Sequence, residues 1–283
     1  MRHSPVLPPP DALRRARVTG HFGELLQGRL GPTGTVALVT LPCPALAVSA
    51  HWAPANGFGL WQGARPVLTR GQVRAVFDAL GAGPPRGRLR LRAEMPPGGG
   101  AGASTAALLA TMRCLAGGAL PADAEAALCL SQEGATDPLM LAQPGCALWA
   151  PRMARILGHL PPLPALEVVG GFAGPGRRTD PADTRFADIS DLVEAWGRAG
   201  ARETLAALAT ESARRNHALR GGPDLAPLME AARQLGALGV AVAHTGTAQA
   251  LLFTPGAVPA DAAGTLRALG LSAIARFRTG GMG

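Results

Sequence analysis

The sequence predicts an α+β protein built of two layered domains, and three observations support this prediction. Patterns typical of strands and of helices are interleaved along both halves of the 283 residues. A stretch rich in glycine and proline, residues 96–102, leads directly into a run of strong helix formers. The hydrophobic fraction is 47% and only 16% of the residues are charged, as expected for a globular chain with a substantial core.

The first half is predicted to begin after a proline-rich leader, residues 1–16, which we expect to be disordered. Alternating apolar residues and glycine turns then indicate strands, while the 3.6-residue spacing of apolar positions indicates helices. Strands are expected over residues 17–28, 36–41, 45–52 and 87–93, and helices over 72–80, over the run that follows the glycines, and over 122–131.

The second half is expected to begin at the proline-rich stretch 161–164, which gives one domain over residues 17–160 and another over 161–283. A tight polar loop, residues 244–247, separates two short apolar strands. Strands are expected over residues 166–169, 240–243, 249–254 and 271–278, and helices over 189–199, 201–217, 225–238 and 259–269.

Composition and charge exclude several classes of partner. The net charge is +8, yet the arginines that produce it are scattered, and their densest groups (residues 14–17 and 86–92) are short. We therefore expect no nucleic-acid partner, although a positive field would attract an anionic nucleotide. No segment reaches the roughly twenty apolar residues of a membrane span, so no membrane partner is expected.

The cysteines and the amino terminus indicate a cytoplasmic location. The four cysteines are widely spaced without a CxxC pair, which is typical of buried thiols in a reducing compartment, and the first residues hold no apolar run long enough for a signal peptide. These cysteines are Cys43, Cys114, Cys129 and Cys146.

The glycine-rich stretch is the most informative feature of the chain. Glycines at 98, 99, 100 and 102 allow the backbone to approach a ligand closely, and Ser104 and Thr105 stand where a strong helix begins. A glycine loop at a helix N-terminus presents unpaired N–H groups and the positive end of the helix dipole, which together bind phosphate. A flexible linker is the alternative, but a linker would not lead at once into two hydroxyl residues and a helix.

Three separated segments resemble the GHMP family of small-molecule kinases. Pro96 followed by residues 100–106 resembles the family's second motif, Gly23-Glu24 its first, and residues 243–248 its third. The resemblance implies a ribosomal S5-like first half, a ferredoxin-like second half, and ATP and Mg²⁺ as cofactors. The glycine loop lacks the Gly-Lys-Ser/Thr ending of a Walker P-loop, which excludes that class of nucleotide site.

Within this family, four segments resemble the L-threonine kinases of cobalamin synthesis. These are residues 22–28, 103–106, 133–137 and 243–247. Two departures from that branch are Ala103, which replaces a motif serine, and His21, which stands where a small residue is usual.

The resemblance implies roles in nucleotide and metal binding and in catalysis. Ser104 and Glu133 are expected to bind Mg²⁺. Ser104 could instead, or at the same time, cap the helix, and the alternatives for the carboxylate are Glu125 or a solvated surface role for Glu133. Asp137 is expected to accept or orient the proton of the substrate hydroxyl, although an Asp before Pro138 is also a common turn initiator. The residues expected to contact the nucleotide are Pro97, Gly98, Gly99, Gly100, Ala101, Gly102, Ala103, Ser104 and Thr105.

A further group is expected to bind the substrate. Glu24 would contact an amino group, with a buried pairing to an arginine as the alternative, and the polar loop that includes His244 could instead be a plain hairpin turn. Ser212 shares a helix face with Asn216, and residues 183–186 could border the substrate. The expected substrate-binding residues are Glu24, Gln27, Asn216, His244, Thr245 and Gly246.

The sequence therefore predicts an ATP- and Mg²⁺-dependent kinase that phosphorylates the side-chain hydroxyl of L-threonine. The product, O-phospho-L-threonine, would supply the nucleotide loop of cobalamin. The alternatives are a GHMP kinase for homoserine or an isoprenoid alcohol, a non-catalytic nucleotide or metabolite sensor, and an RNA-binding protein, against which the low aromatic content of 4% counts. The expected partners are ATP and a small-molecule substrate, and homodimer formation is left open.

Overall fold

The computed structural model of the protein describes residues 13–83, 86–177, 180–221 and 224–280. Most of the expected disordered leader, residues 1–12, lies outside these ranges. Residues 14–16 were also assigned to the leader, but they form the start of the first strand, whose alternate residues are exposed and which pairs with residues 50–52.

Ten strands and seven helices make up the described part of the chain. The strands are β1 Arg14–Arg29, β2 Val36–Ala53, β3 Phe58–Trp61, β4 Gly87–Ala93, β5 Ala147–Ala150, β6 Arg155–His159, β7 Leu166–Ala173, β8 Gly239–Val242, β9 Ala248–Phe253 and β10 Leu271–Thr279. The helices are α1 Arg70–Ala79, α2 Ala103–Ala116, α3 Ala122–Glu133, α4 Ser190–Arg198, α5 Arg202–Arg220, α6 Ala226–Gln234 and α7 Ala262–Ala268.

All ten strands belong to one mixed sheet. Its main path runs β10-β7-β9-β8-β1-β2-β4-β3, while β5 pairs with β2 and β6 pairs with β5. The long strands β1 and β2 form an antiparallel pair, and β1 also pairs with β8 through Glu24 and Val242. The sheet is therefore continuous between the two halves of the chain, and Glu24 lies at the junction. The fold confirms the predicted α+β class, while the division into domains at residue 160 stays a prediction.

Several element boundaries differ from the sequence prediction. The expected strands 36–41 and 45–52 are one continuous strand, β2, and the short strands β3, β5 and β6 were not predicted. Helix α6 ends at Gln234 rather than at residue 238, because Gly236 takes a left-handed conformation with φ of +67°. Helix α7 begins at Ala262, three residues later than expected, since Asp261 is its N-cap.

Among the described residues, the larger of two hydrophobic cores is shared by both halves, and the smaller lies within the second half. Helix α2 is buried along most of its length, because its apolar residues surround the helix rather than following one face. Phe22 in β1 packs against Phe172 in β7 and Phe277 in β10, with ring centroids 5.1 and 5.7 Å apart. Such aromatic contacts stabilise the junction beyond the area they bury.

The cysteines agree with the expectation of free thiols. Cys43, Cys114 and Cys129 are buried, Cys146 is partly exposed, and all four are unpaired. Burial raises the pKa of the Cys43 and Cys114 thiols to about 11, so both are neutral at physiological pH. Among the described residues, no helix has the length and apolar character needed to cross a membrane.

Candidate active site

A cavity of about 840 Å³ lies beside the sheet junction and the N-terminus of α2. Its walls come from β1, the glycine-rich loop, the segment that follows α3, residues 175–177, Pro181 and Phe186. Twelve of the residues expected from the sequence to bind nucleotide, metal or substrate border it. These are Glu24, Gln27, Pro97, Gly98, Gly100, Gly102, Ala103, Ser104, Thr105, Glu133, Asp137 and Thr245.

The glycine-rich loop is held by its carbonyl oxygens. Four consecutive carbonyls, from Gly98 to Ala101, each accept at least one backbone N–H from another segment of the chain. Because these carbonyl oxygens are hydrogen-bonded to other segments of the chain, the loop presents its other backbone groups to the cavity. The donors are Arg177 to Gly98 at 2.8 Å, Thr247 and Ala248 to Gly99 at 2.9 and 2.8 Å, Gly23 to Gly100 at 2.9 Å, and His21 to Ala101 at 3.3 Å.

These contacts bring together the three segments on which the family resemblance depends. Gly23 of the first segment and Thr247 of the third both bind the glycine-rich loop of the second. Gly246 lies so close that an added Cβ would stand 2.4 Å from the backbone nitrogen of Gly100. Two expected nucleotide contacts, Gly99 and Ala101, do not border the cavity.

Helix α2 begins without a side-chain cap. Its N-cap is Gly102, which takes a left-handed conformation with φ of +69°, and Ser104 lies inside the first turn. The alternative that Ser104 caps the helix is therefore wrong. Gly102 supplies no side-chain acceptor for the N–H groups of the first turn, which lie at the positive end of the helix dipole, the arrangement that binds anions.

Hydroxyl and carboxylate oxygens converge beside this helix terminus. Ser104 Oγ donates to Glu133 Oε1, and Thr105 Oγ1 lies 3.2 Å from Glu133 Oε2. Thr105 Oγ1 is also 3.4 Å from Asp137 Oδ2 and from the Asp137 backbone nitrogen. The first turn of α2, the end of α3 and the segment after it thus present four oxygen-bearing side chains to one wall of the cavity.

This oxygen cluster fits Mg²⁺, which prefers one or two carboxylates with water and phosphate as its remaining ligands. Ser104 and Glu133 are its candidate protein ligands. The alternative carboxylate, Glu125, is fully buried and accepts hydrogen bonds from Arg113 at 2.8 and 2.6 Å, so it is held away from the cavity. Within the described residues, no group of three or more His, Cys, Asp or Glu forms a metal cage.

His21 is a site residue that the sequence interpretation missed. Its ring is 2% exposed, with Nε2 3.3 Å from Asp137 Oδ2 and Nδ1 3.1 Å from the Gly23 carbonyl oxygen. Burial lowers the pKa of the ring, but the Asp137 carboxylate, together with Glu24 and Gly23, raises the pKa of His21 to about 9. The one signal in the sequence was the departure from the usual small residue at this position.

The pKa of Asp137 is lowered in turn. Burial acts to raise it, but the charge and hydrogen bonding of His21 and the Thr105 hydroxyl outweigh this effect. Asp137 is therefore ionised at neutral pH, and its side chain keeps 26% of its surface exposed to the cavity. An ionised carboxylate beside a helix N-terminus, where anions are favoured, can accept a proton from a bound hydroxyl.

Glu24 connects the junction of the sheet to the polar loop after β8. Its Oε2 accepts the backbone N–H of His244 at 3.2 Å, and the ring nitrogen Nδ1 of His244 lies 3.7 Å away. His244 Nε2 lies 3.3 Å from Ser212 Oγ, which also accepts the backbone N–H of Gln27 at 3.2 Å. The partners of Glu24 are thus histidines, whereas the sequence left an arginine as the alternative.

The remaining substrate candidates lie around a second, smaller cavity of about 250 Å³. Asn216, His244 and Gly246 border this cavity and not the larger one. Thr245 and Arg177 border both, so the two cavities are neighbours on either side of the polar loop. The structure therefore divides the expected substrate-binding residues between two spaces.

Three arginines of the larger cavity were not predicted from the sequence. Arg65, Arg152 and Arg177 come from three loops, and no local pattern marks them. Arg152 also lies over the Phe186 ring at 5.7 Å, and Phe186 borders the same cavity. Of residues 183–186, which the sequence suggested could border the substrate, Phe186 borders the larger cavity and Asp183 and Arg185 border the smaller one.

Solved structures align with nearly the whole chain at low sequence identity. Mevalonate kinase from methicillin-resistant Staphylococcus aureus is 16% identical, covers 94% of this chain and 98% of its own, and gives a TM-score of 0.63. Homoserine kinase from Cytophaga hutchinsonii is 13% identical, covers 95% of this chain and 94% of its own, and gives a TM-score of 0.52. The protein has a GHMP kinase-like fold.

This GHMP kinase-like fold is also shared by mevalonate pyrophosphate decarboxylase from Streptococcus pyogenes. That structure is 11% identical, covers 95% of this chain and 97% of its own, and gives a TM-score of 0.60. A scan against protein-family models and a search of curated proteins find no match to the sequence. The fold alone does not identify the acceptor, so function has to be argued from the site.

Proposed function

We propose that the protein is an ATP-dependent phosphotransferase that phosphorylates an alcohol. The observation that carries this proposal is one cavity that joins a glycine-rich loop, an uncapped helix N-terminus and an ionised carboxylate, Asp137. Phosphoryl transfer needs a held nucleotide, neutralised charge on the transferred group and an aimed hydroxyl. The glycine-rich loop would hold the nucleotide, the helix N-terminus would neutralise phosphate charge, and Asp137 would orient the hydroxyl.

The nucleotide phosphates would lie against residues 98–105. The uncapped N–H groups at the start of α2 favour anions, and Arg65, Arg152 and Arg177 add positive charge to the same cavity. Ser104 and Glu133 would hold Mg²⁺, which when bound neutralises charge on the phosphate oxygens. The hydrogen bonds among Ser104, Thr105 and Glu133 fix the orientation of their own hydroxyl and carboxylate oxygens before any ligand arrives.

Asp137 would act on the acceptor hydroxyl. The hydroxyl oxygen forms a bond to the γ-phosphorus, the bond from this phosphorus to the β–γ bridging oxygen breaks, and ADP leaves with the electron pair. The hydroxyl proton passes to the Asp137 carboxylate. A carboxylate is a weak base, but the loose transition state of phosphoryl transfer asks for little activation of the nucleophile.

We infer that the acceptor is L-threonine and that its product, O-phospho-L-threonine, serves the cobalamin nucleotide loop. The support is the resemblance of four segments to that branch, together with the charges around the cavity. Glu24 offers negative charge for an ammonium group, and the three arginines offer positive charge for a carboxylate. A zwitterion suits such a cavity better than an isoprenoid alcohol, which would favour apolar walls.

The test is ADP release by the purified protein with ATP and Mg²⁺. The acceptors compared are L-threonine, L-serine, L-homoserine and mevalonate, and Asp137→Asn serves as the matched variant. We expect turnover on L-threonine, and a decrease in kcat of about 10²–10⁴-fold in Asp137→Asn, as for loss of a general base.

Three results would contradict parts of the proposal. Turnover on homoserine or mevalonate instead of threonine would overturn the acceptor and leave the phosphotransferase. Nucleotide binding without turnover on any acceptor would favour a sensor. An Asp137→Asn variant with the activity of the natural protein would remove Asp137 from the reaction.

A further inference from the structure

His21 is a buried side chain in contact with Asp137 of the proposed reaction centre. It lies in β1, where its backbone N–H binds the Ala101 carbonyl, so its main chain is tied to the glycine-rich loop. Its ring fills a slot beside Gly102, where an added Cβ would stand 2.7 Å from His21 Cδ2. The ring therefore has little freedom to change its position.

The contacts of the ring determine where its protons lie. The Gly23 carbonyl oxygen, 3.1 Å from Nδ1, can only accept a hydrogen bond, so Nδ1 carries a proton. Nε2 faces Asp137 Oδ2 at 3.3 Å, and a lone pair there would repel a carboxylate. Because Glu24 Oε1 is a second carboxylate oxygen, 4.0 Å from Nδ1, both surroundings favour the doubly protonated imidazolium.

The same contacts distinguish the two oxygens of Asp137. Oδ2 meets both His21 Nε2 and Thr105 Oγ1, whereas Oδ1 meets no hydrogen-bond partner among the described residues. Since the side chain is partly exposed and borders the larger cavity, Oδ1 is the oxygen left for a ligand. One side of the carboxylate is thus fixed by the protein and the other is free to react.

We propose that His21 is a positioning residue that keeps Asp137 ionised through Oδ2 and leaves Oδ1 to receive the proton of the acceptor hydroxyl. This inference rests on the proposed phosphotransferase function. Such a carboxylate is a weak base that stays ionised at neutral pH. It suits a reaction in which the hydroxyl loses its proton late in phosphoryl transfer. His21 itself neither gives nor takes a proton during transfer.

Other titratable groups also face this pair. Glu24 comes from β1, Glu133 and Cys129 from α3, and His244 from the loop after β8. The pKa of the Cys129 thiol is raised by burial and by the neighbouring carboxylates, so it adds no charge. Loss of the His21 proton would remove the positive charge that lies beside Asp137 and Glu24.

The kinetic test compares His21→Gln with His51→Gln, the same substitution at an exposed histidine of β2. For His21→Gln we expect kcat to fall about tenfold or more at neutral pH, while the KM for ATP changes less than about twofold. The natural protein should lose activity as the pH rises through about 9, where His21 loses its proton, and His21→Gln should lack this alkaline limb. The profile of His51→Gln should match that of the natural protein.

Imidazole ¹⁵N NMR tests the ion pair without relying on turnover or on folding of the His21 variant. In the natural protein the His21 ring should stay doubly protonated through neutral pH and titrate near pH 9. In Asp137→Asn it should titrate at lower pH, because the neighbouring carboxylate is gone. Titration of His21 near its ordinary pKa of about 6.5 in the natural protein would overturn the inference.

The outcomes separate this inference from the proposed function. Turnover by the natural protein, with a kcat for His21→Gln within about twofold or with its alkaline limb retained, would overturn only the positioning role. No turnover by the natural protein on any acceptor would overturn the proposed function. It would also remove the role of His21 in proton transfer, even if NMR upheld the ion pair.

Discussion

Two glutamates of α3 show how strongly the surroundings of a residue decide its role. Glu125 and Glu133 lie about two helical turns apart. Glu125 is buried and bound by the guanidinium of Arg113, whereas Glu133 meets the hydroxyls of Ser104 and Thr105 at the cavity wall. The first arrangement is structural, and the second is suited to a cation.

Exchanging each glutamate for glutamine should separate these two roles. Glu133→Gln should raise the Mg²⁺ concentration for half-maximal activity by about tenfold or more, with little change in the free energy of unfolding. Glu125→Gln should leave the Mg²⁺ requirement unchanged and lower the free energy of unfolding by about 1–3 kcal/mol, because Arg113 loses a charged partner. Mg²⁺ titrations and urea unfolding of both variants measure this difference. If the Mg²⁺ requirement rose more in Glu125→Gln than in Glu133→Gln, Glu125 rather than Glu133 would be the Mg²⁺ ligand.

The glycine-rich loop and the helix that follows it form the element on which the proposed nucleotide site depends. Gly100 takes a φ of +75°, and an added Cβ there would stand 2.3 Å from the Ala243 Cβ. Both the left-handed backbone and the close approach exclude a larger residue. Gly118, after the end of α2, has open space around it and no positive φ.

An alanine should therefore disturb the protein at Gly100 and have little effect at Gly118. Gly100→Ala should lower the free energy of unfolding by about 1–3 kcal/mol and weaken ATP binding, because it displaces the loop from the segment after β8. Gly118→Ala should change stability by less than about 1 kcal/mol and leave ATP binding unchanged. Thermal unfolding and calorimetric titration with ATP make the comparison. Equal ATP affinity in both variants would exclude this loop from the nucleotide site.

At the scale of the whole molecule, the two halves of the described chain share one sheet and the larger of two hydrophobic cores. The pairing of β1 with β8 carries the sheet across the junction, and the rings of Phe22, Phe172 and Phe277 pack beneath it. Glu24 and Phe22 both lie in β1, so this strand contributes a residue to the candidate site and another to the core of the junction. The halves should therefore unfold together.

Phe22→Ala tests this coupling. The cavity left by the fully buried ring should lower the free energy of unfolding by about 3–5 kcal/mol. Calorimetry should show one transition at lower temperature in the variant, as in the natural protein. Two separate transitions in either protein would favour two independent domains divided near residue 160.

Local chemistry was sufficient to predict much of the fold and part of the candidate site. Strand alternation, helical spacing and the run of glycines depend on neighbours in the chain, and they predicted most elements and the loop before α2. The same local pattern, with the family resemblance, singled out Ser104, Glu133 and Asp137, all of which border one cavity. The short strands β3, β5 and β6 escaped prediction because their pairing partners are distant or their patterns brief.

The sequence by itself therefore determined the fold class and the glycine-rich loop before α2, since both follow from local backbone preferences and apolar periodicity. Tertiary structure alone decided the electrostatics of the site. His21 meets Asp137, and Arg177 meets the loop, only because sheet pairing and loop closure bring distant segments together. The charge state of a buried group depends on the neighbours around it in space, which no local pattern in the chain specifies.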